Sequence, residues 1–443
     1  MAADRTFLLA GADSAAQAPA TDAVRVLKAR RIALGAARGE QGQTAVEGDA
    51  VLRVELENGF VLWSRADDLL RDHGRQVGQR DGKSTWALDF GPQPGRDGQR
   101  GSRGWLGLGV RVLEAFGVDL SGTAAVALAR TLEARQLGAN TPAGLYRCSL
   151  KGNPGGDPGL TPAGAVSADG RPLLVFLHGT GSSTQGSFGH LWRDDSHAGA
   201  ALRARMEARY GHNVLALQHR SMTESPIANA LALARALPAG AELHLVSHSR
   251  GGLVGELMCL GMRDAEADPL TPALLKTLFA ADRTVAVQLG LPGLDKAAAK
   301  ARDAAYDADR AALVELLDEL RTKQFKVRRF VRVACPARGT TLASGRLDRW
   351  LSVLDFVSGA GLFGDAMDFL LAVIKERTDP RTLPGLEAMM PGSALTRLLQ
   401  HPDLQVSADL SVIAGDVEGD SLWGQIKLLA ADWFYGGDHD LVV

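Results

Sequence analysis

Leu243-His244-Leu245-Val246-Ser247-His248-Ser249-Arg250-Gly251-Gly252-Leu253-Val254 passes from an apolar run through one serine-bearing turn into a run of small and apolar residues. The first part predicts a buried strand over 243–247, and the last part predicts a helix over 251–261. The turn Ser247-His248-Ser249-Arg250-Gly251 has the small-x-Ser-x-Gly pattern of a nucleophile elbow. Small residues belong at both ends of such a turn because strand and helix pack closely there. Ser247 stands where a glycine is usual. A serine hydroxyl becomes a nucleophile only when a base takes its proton and donors hold the oxyanion. Ser249 is therefore the candidate nucleophile, and partners for it must be sought elsewhere in the chain.

Upstream, Pro172-Leu173-Leu174-Val175-Phe176-Leu177 predicts another buried strand, followed by His178-Gly179-Thr180-Gly181-Ser182-Ser183. A glycine-rich loop there can turn backbone N–H groups toward a reacting carbonyl oxygen. Further strands are expected at 213–217, 327–334 and 410–414, and helices at 198–210 and 226–237. Apolar strands alternating with helices predict a mostly parallel sheet flanked by helices. Both loops then fall at the carboxyl edge of that sheet, where such folds bind ligands. The expected oxyanion donors are the backbone N–H groups of Thr180 and Arg250. His178, Gly179, Gly181, His248 and Gly251 are expected to shape the site.

Residues 1–140 read as a separate small α+β module. Val51-Leu52-Arg53-Val54-Glu55-Leu56, then Asn58-Gly59, then Phe60-Val61-Leu62-Trp63, is a hairpin pattern, because Asn-Gly accepts positive φ. Ser64 is expected to cap a short helix through Leu70, residues 72–104 to be loop, and 121–137 a helix. Residues 141–443 form the α/β domain, with two helical insertions at 262–323 and 346–400. The second is apolar and is expected to act as a lid. In the first, Leu313, Leu316, Leu317 and Leu320 share one side of a charged helix.

The chain has 443 residues, 46% apolar and 23% charged, with net charge −2. That balance is ordinary for a soluble globular protein and gives no footprint for nucleic acid. No segment reaches the ~18–20 apolar residues of a membrane span, so no stable membrane insertion is expected. Cys148, Cys259 and Cys335 make no disulfide framework, which favours a cytoplasmic setting. His178, His190, His197 and Asp194-Asp195 match no zinc spacing.

Taken together, the serine turn and the His178-Gly179-Thr180-Gly181 loop resemble the α/β-hydrolase superfamily, in particular its bacterial lipase-like members. The resemblance covers roughly 141–443. Cys335-Pro336-Ala337-Arg338-Gly339-Thr340 is similar to the turn that precedes lipase lids. Asp438-His439-Asp440-Leu441-Val442-Val443 is similar to the segment carrying the catalytic acid. The resemblance implies a serine ester hydrolase without cofactor or metal, acting on a lipid or other acyl ester, with Asp440 as the acid. It also implies a histidine tens of residues after that acid. On this reading the chain is the front part of a longer protein with its base, and any further domains, beyond Val443. The other arrangement takes His439 as base and Asp416 or Asp420 as acid. Peptidase, thioesterase or acyltransferase chemistry on the same constellation, and a non-catalytic scaffold, are the alternatives.

Overall fold

The computed structural model describes residues 6–10, 12–16, 25–33, 43–48, 50–56, 61–80, 83–88, 110–119, 122–151, 157–167, 169–260, 270–279, 296–337, 383–390, 392–402, 404 and 408–413. They group into two compact units, one drawn from 6–128 and the other from 129–413. The architecture is mixed α/β.

The first unit contains β1 (Thr6–Ala10), β2 (Ala12–Ala15), β3 (Arg25–Ala33), β4 (Gln43–Glu47), β5 (Val51–Leu56), β6 (Val61–Arg65), α1 (Ala66–His73), β7 (Gly74–Arg80), β8 (Lys83–Leu88) and β9 (Val110–Asp119). They build one sheet in the order β4-β1-β8-β7 and another in the order β2-β3-β9-β5-β6. The expected hairpin is present: β5 and β6 pair antiparallel from Val51↔Arg65 to Glu55↔Val61. Its Asn58-Gly59 turn lies outside the described residues. Ser64 does not cap a helix. It pairs with Leu52 inside β6, because the ladder runs on to Arg65, and α1 starts one residue later. Residues 72–104 are not all loop either. Their first part holds the β7–β8 hairpin. β7 is an edge strand whose residues 75–79 are all exposed, so its Gly, Arg and Gln need satisfy no alternation with a core.

Helix α2 (Gly122–Leu137) follows, and its residues from Ala129 on group with the second unit. That unit holds β10 (Gly144–Arg147), β11 (Thr161–Pro162), β12 (Leu173–Leu177), α3 (Thr184–Arg193), α4 (His197–Tyr210), β13 (Val214–Gln218), α5 (Pro226–Ala236), β14 (Glu242–His248), α6 (Gly251–Cys259), α7 (Pro272–Leu278), α8 (Lys296–Lys323), β15 (Lys326–Val333), α9 (Pro384–Glu387), α10 (Ala394–Leu399) and β16 (Asp409–Ile413). The sheet order is β11-β10-β13-β12-β14-β15-β16. The last five strands in that order are mutually parallel, while β10 and β11 add antiparallel at one edge.

The strands of the sheet centre need no alternation because helices cover both faces. Every residue of β12 and β13 is buried. The helices begin where the sequence supplies caps: the hydroxyls of Ser183, Ser196 and Ser225 accept the N–H groups of Gly186, Gly199 and Ala228. Such a cap contributes about 1 kcal/mol. Pro226 at the first turn of α5 costs nothing, since that N–H has no helical partner. Leu313, Leu316, Leu317 and Leu320 of α8 are buried, as their spacing predicts, and α8 packs on α5. Of the expected lid, residues 346–382 lie outside the described residues. Among the described residues no helix is long and apolar enough to cross a membrane.

Chain direction then places a crevice. From β12 the chain moves to β13 on one side. From β13 it crosses back to β14 on the other and continues outward to β15 and β16. Connections leaving β12 and β14 diverge, which opens a cleft at their carboxyl ends.

Candidate active site

Ser249 sits at that switch point. Its N–H extends the β14–β15 ladder by donating to the Val333 carbonyl at 2.9 Å, and its carbonyl accepts from Gly252 N at 2.9 Å, which starts α6. Between these two bonds the chain must reverse within one residue. Ser249 therefore adopts φ 50°, a left-handed conformation rare outside glycine. The three glycines after it are fixed by neighbours. A Cβ on Gly251 would lie 2.2 Å from the Leu177 carbonyl oxygen, one on Gly252 2.2 Å from Cys335 Sγ, and one on Gly255 2.5 Å from the Phe330 ring. Ser247, in the place of the usual glycine, is fully buried.

The glycine-rich loop comes to the same point through strand register. Leu177 pairs with Ser247, so two residues further on Gly179 faces Ser249. A Cβ on Gly179 would stand 3.0 Å from Ser249 Cβ and 3.1 Å from His248 Nδ1. Only glycine allows the loop this close. Gly181 turns the loop away with φ 55°. Thr180 Oγ1 donates to Met389 Sδ at 3.3 Å. Among the described residues, no acceptor takes the N–H of Thr180 or of Arg250.

His178 is structural in its bonding. His178 Nδ1 donates to the Gly179 carbonyl at 3.0 Å, and Nε2 accepts the His219 N–H at 3.1 Å. Both ring nitrogens are thereby used. The rings of His178 and His219 stack 3.9 Å apart, and burial holds His178 down to about 3 and His219 well below the usual imidazole range. Burial also lowers His248, whose Nδ1 has no partner among the described residues. Remote from the site, His244 is held by the Tyr210 hydroxyl at 2.8 Å. Cys148, Cys259 and Cys335 are unpaired and buried. Among the described residues no imidazole or carboxylate takes a hydrogen bond from Ser249 Oγ. Asp440, His439, Asp416, Asp420 and Arg338 lie outside the described residues.

One feature of the turn had no local signal: the Arg250 side chain is fully buried. Its Nε donates to the Gly385 carbonyl at 3.2 Å, Nη1 to Asn229 Oδ1 at 3.0 Å, and Nη2 to the Glu224 carbonyl at 2.5 Å. Burial lowers it to about 10, while Glu133, Glu224 and Asp309 hold it up, so it stays charged at neutral pH. Beside it lies a small acid cluster. Glu387 Oε1 accepts the Tyr306 hydroxyl at 2.7 Å. Burial, reinforced by Asp309, raises Glu387 to about 7, against Arg302 and Arg397. A raised carboxyl pKa contributes stability below the unfolded value that is lost as pH rises through the folded one. Glu387→Gln keeps the acceptor for Tyr306 and cannot ionise. Its stability relative to the wild type should therefore improve by about 1 kcal/mol between pH 6 and pH 8, read from urea melts. A pH-independent difference would refute the assignment.

The chain is similar to the crystal structure of Bacillus licheniformis lipase BlEst2 in mature form, with a TM-score of 0.31 and 17% identity over 66% of this chain and 84% of that one. No curated protein matches the chain. A family model matches residues 153–279 and 310–443, beginning before β11 and taking in the glycine loop, the serine turn and the segment through Asp440. With more than half of its length in that match, the chain belongs to the family described as a domain of unknown function, DUF7379.

Proposed function

We propose that the chain is a serine hydrolase of α/β-hydrolase type that cleaves carboxylic esters, of lipids or other acyl compounds, through an acyl-enzyme on Ser249. The observation that carries this reading is the left-handed backbone of Ser249 at the end of β14. Strained backbone at a non-glycine residue persists where the surroundings enforce it, and it clusters at functional sites. The N–H groups of Thr180 and Arg250, unclaimed among the described residues and lying on the two loops that meet there, support it. So does the order of the parallel strands.

In this mechanism Ser249 Oγ attacks the ester carbonyl carbon as a histidine takes its proton. The carbonyl oxygen becomes an oxyanion held by the N–H groups of Thr180 and Arg250. As the intermediate collapses, the alkoxide leaves with the proton from the imidazolium, and water then releases the acyl group by the same steps. Because no imidazole among the described residues is hydrogen-bonded to Ser249 Oγ, the base is assigned to a histidine outside them. Asp440 orients that histidine, or else His439 is itself the base with Asp416 or Asp420 as its acid. The chemistry uses no metal or organic cofactor.

A fluorophosphonate probe tests this on the full chain. The expected result is one covalent adduct on the peptide containing Ser249, absent in Ser249→Ala. Folded wild-type protein extended past Val443 that takes up no probe would instead mark a non-catalytic, hydrolase-like scaffold.

A further inference from the structure

We propose that Gln136 and Ser221 are positioning residues that aim the Thr180 N–H at the reacting oxygen, an inference that rests on the hydrolase reading above. Around Thr180 each neighbouring backbone group is already claimed. Gly179 N donates to Ser187 Oγ at 3.2 Å, and Gly181 N donates to Ser221 Oγ at 2.8 Å. The Gly181 carbonyl accepts from Gln136 Nε2. The Gly179 carbonyl accepts from His178 Nδ1. With the peptide units on both sides fixed, the one N–H of residues 179–181 left over among the described residues is that of Thr180.

Gln136 and Ser221 act through one brace. Gln136 lies in the last turn of α2, and Glu133 lies three residues earlier on the same face of the helix. The Glu133 carboxylate accepts the N–H groups of Met222 and Thr223 and the Thr223 hydroxyl. It thus holds the segment that carries Ser221. Glu133 and Ser221 are both buried. Helix α2 therefore grips Gly181 twice, directly through Gln136 and indirectly through Glu133, the 221–223 segment and Ser221. A loop of glycines has no side chains to fix its own direction, and Gly181 at φ 55° is free to relax to other conformations. Hydrogen bonds from outside the loop are what can keep it aimed.

Loss of a whole oxyanion donor costs about 100- to 1,000-fold in kcat. Loosening one is expected to cost part of that. Gln136→Leu and Ser221→Ala should each lower kcat on p-nitrophenyl butyrate by about tenfold with KM within about twofold, because the donor matters to the oxyanion rather than to the bound ester. Ser221→Thr, which keeps the hydroxyl, should restore kcat to within about threefold of wild type. Thermal melts accompany each variant, and kcat is expressed per folded molecule. Unchanged kcat in both loss variants, or equal loss in Ser221→Thr and Ser221→Ala, overturns the positioning role while the hydrolase reading stands. Wild-type protein that neither turns over the ester nor takes a fluorophosphonate on Ser249 overturns both.

Discussion

Ser249→Ala should lower ester hydrolysis by about 10⁴-fold or more while leaving the fold in place. Loss of a catalytic serine in a triad enzyme costs about 2 × 10⁶ in kcat, and oxyanion donors alone retain about 10³–10⁴ over water. Ser249 is 5% exposed and its hydroxyl makes no hydrogen bond among the described residues. Alanine therefore removes little that stabilises the protein. The same position allows a sharper check. Ser249 holds φ 50°, and a left-handed L-residue costs about 1 kcal/mol. Ser249→Gly removes that strain, offset by the greater entropy of an unfolded glycine. The glycine variant should be as inactive as the alanine variant, and no less stable than it. A serine placed there merely by packing would give variants that still hydrolyse ester at the wild-type rate. A serine not under strain would make Ser249→Gly less stable than Ser249→Ala by the usual glycine cost of about 1 kcal/mol.

The serine turn was legible because its chemistry and its packing demand the same residues. A strand buried on both faces must be apolar throughout, and close strand–helix contact must use glycine, so both marks stand in the local sequence. Expected strands at 172–177, 213–217, 327–334 and 410–414 appear as β12, β13, β15 and β16 within a residue of those limits. Helix α3 has no apolar mark in the sequence although Ser183 caps it. Its sequence, Thr184 to Arg193, is mostly polar and glycine-containing, with little apolar stripe to mark it. β7 was hidden for the opposite reason to β12: an exposed edge strand carries no core pattern. The parts of the site that depend on distant chain were out of reach. Arg250 occupies the free position of the serine motif, where an arginine suggests solvent, and its acceptors lie 21 to 135 residues away. Gln136 and Glu133 belong to a helix whose surroundings showed no chemistry. Nothing local says that their amide and carboxylate close onto the loops at residues 181 and 222.

Arg250→Met should destabilise the second unit by about 3–5 kcal/mol, the usual cost of breaking a buried charged network from one side. Methionine keeps the apolar stem of the side chain, so most of the loss comes from the missing guanidinium and its hydrogen bonds. Methionine leaves the Gly385 and Glu224 carbonyls and Asn229 Oδ1 without their donors, at about 1–3 kcal/mol for each buried group that stays unpaired. It also removes a buried positive charge set among Glu133, Glu224 and Asp309. Arg250→Lys is expected to recover part of this, since an ammonium keeps the charge but cannot span three acceptors that a planar guanidinium fork reaches together. The measurement is the midpoint of urea unfolding followed by intrinsic fluorescence, compared for wild type, lysine and methionine. Total stabilities are about 5–15 kcal/mol, so the methionine variant should sit near its limit at 37 °C. A shift below about 1 kcal/mol would mean that water replaces the guanidinium, and that Arg250 contributes to the turn only through its backbone. The same series separates the two roles of the residue. Its N–H survives every substitution, so molecules that remain folded should still react with a fluorophosphonate at Ser249, while the fraction folded falls from arginine to lysine to methionine.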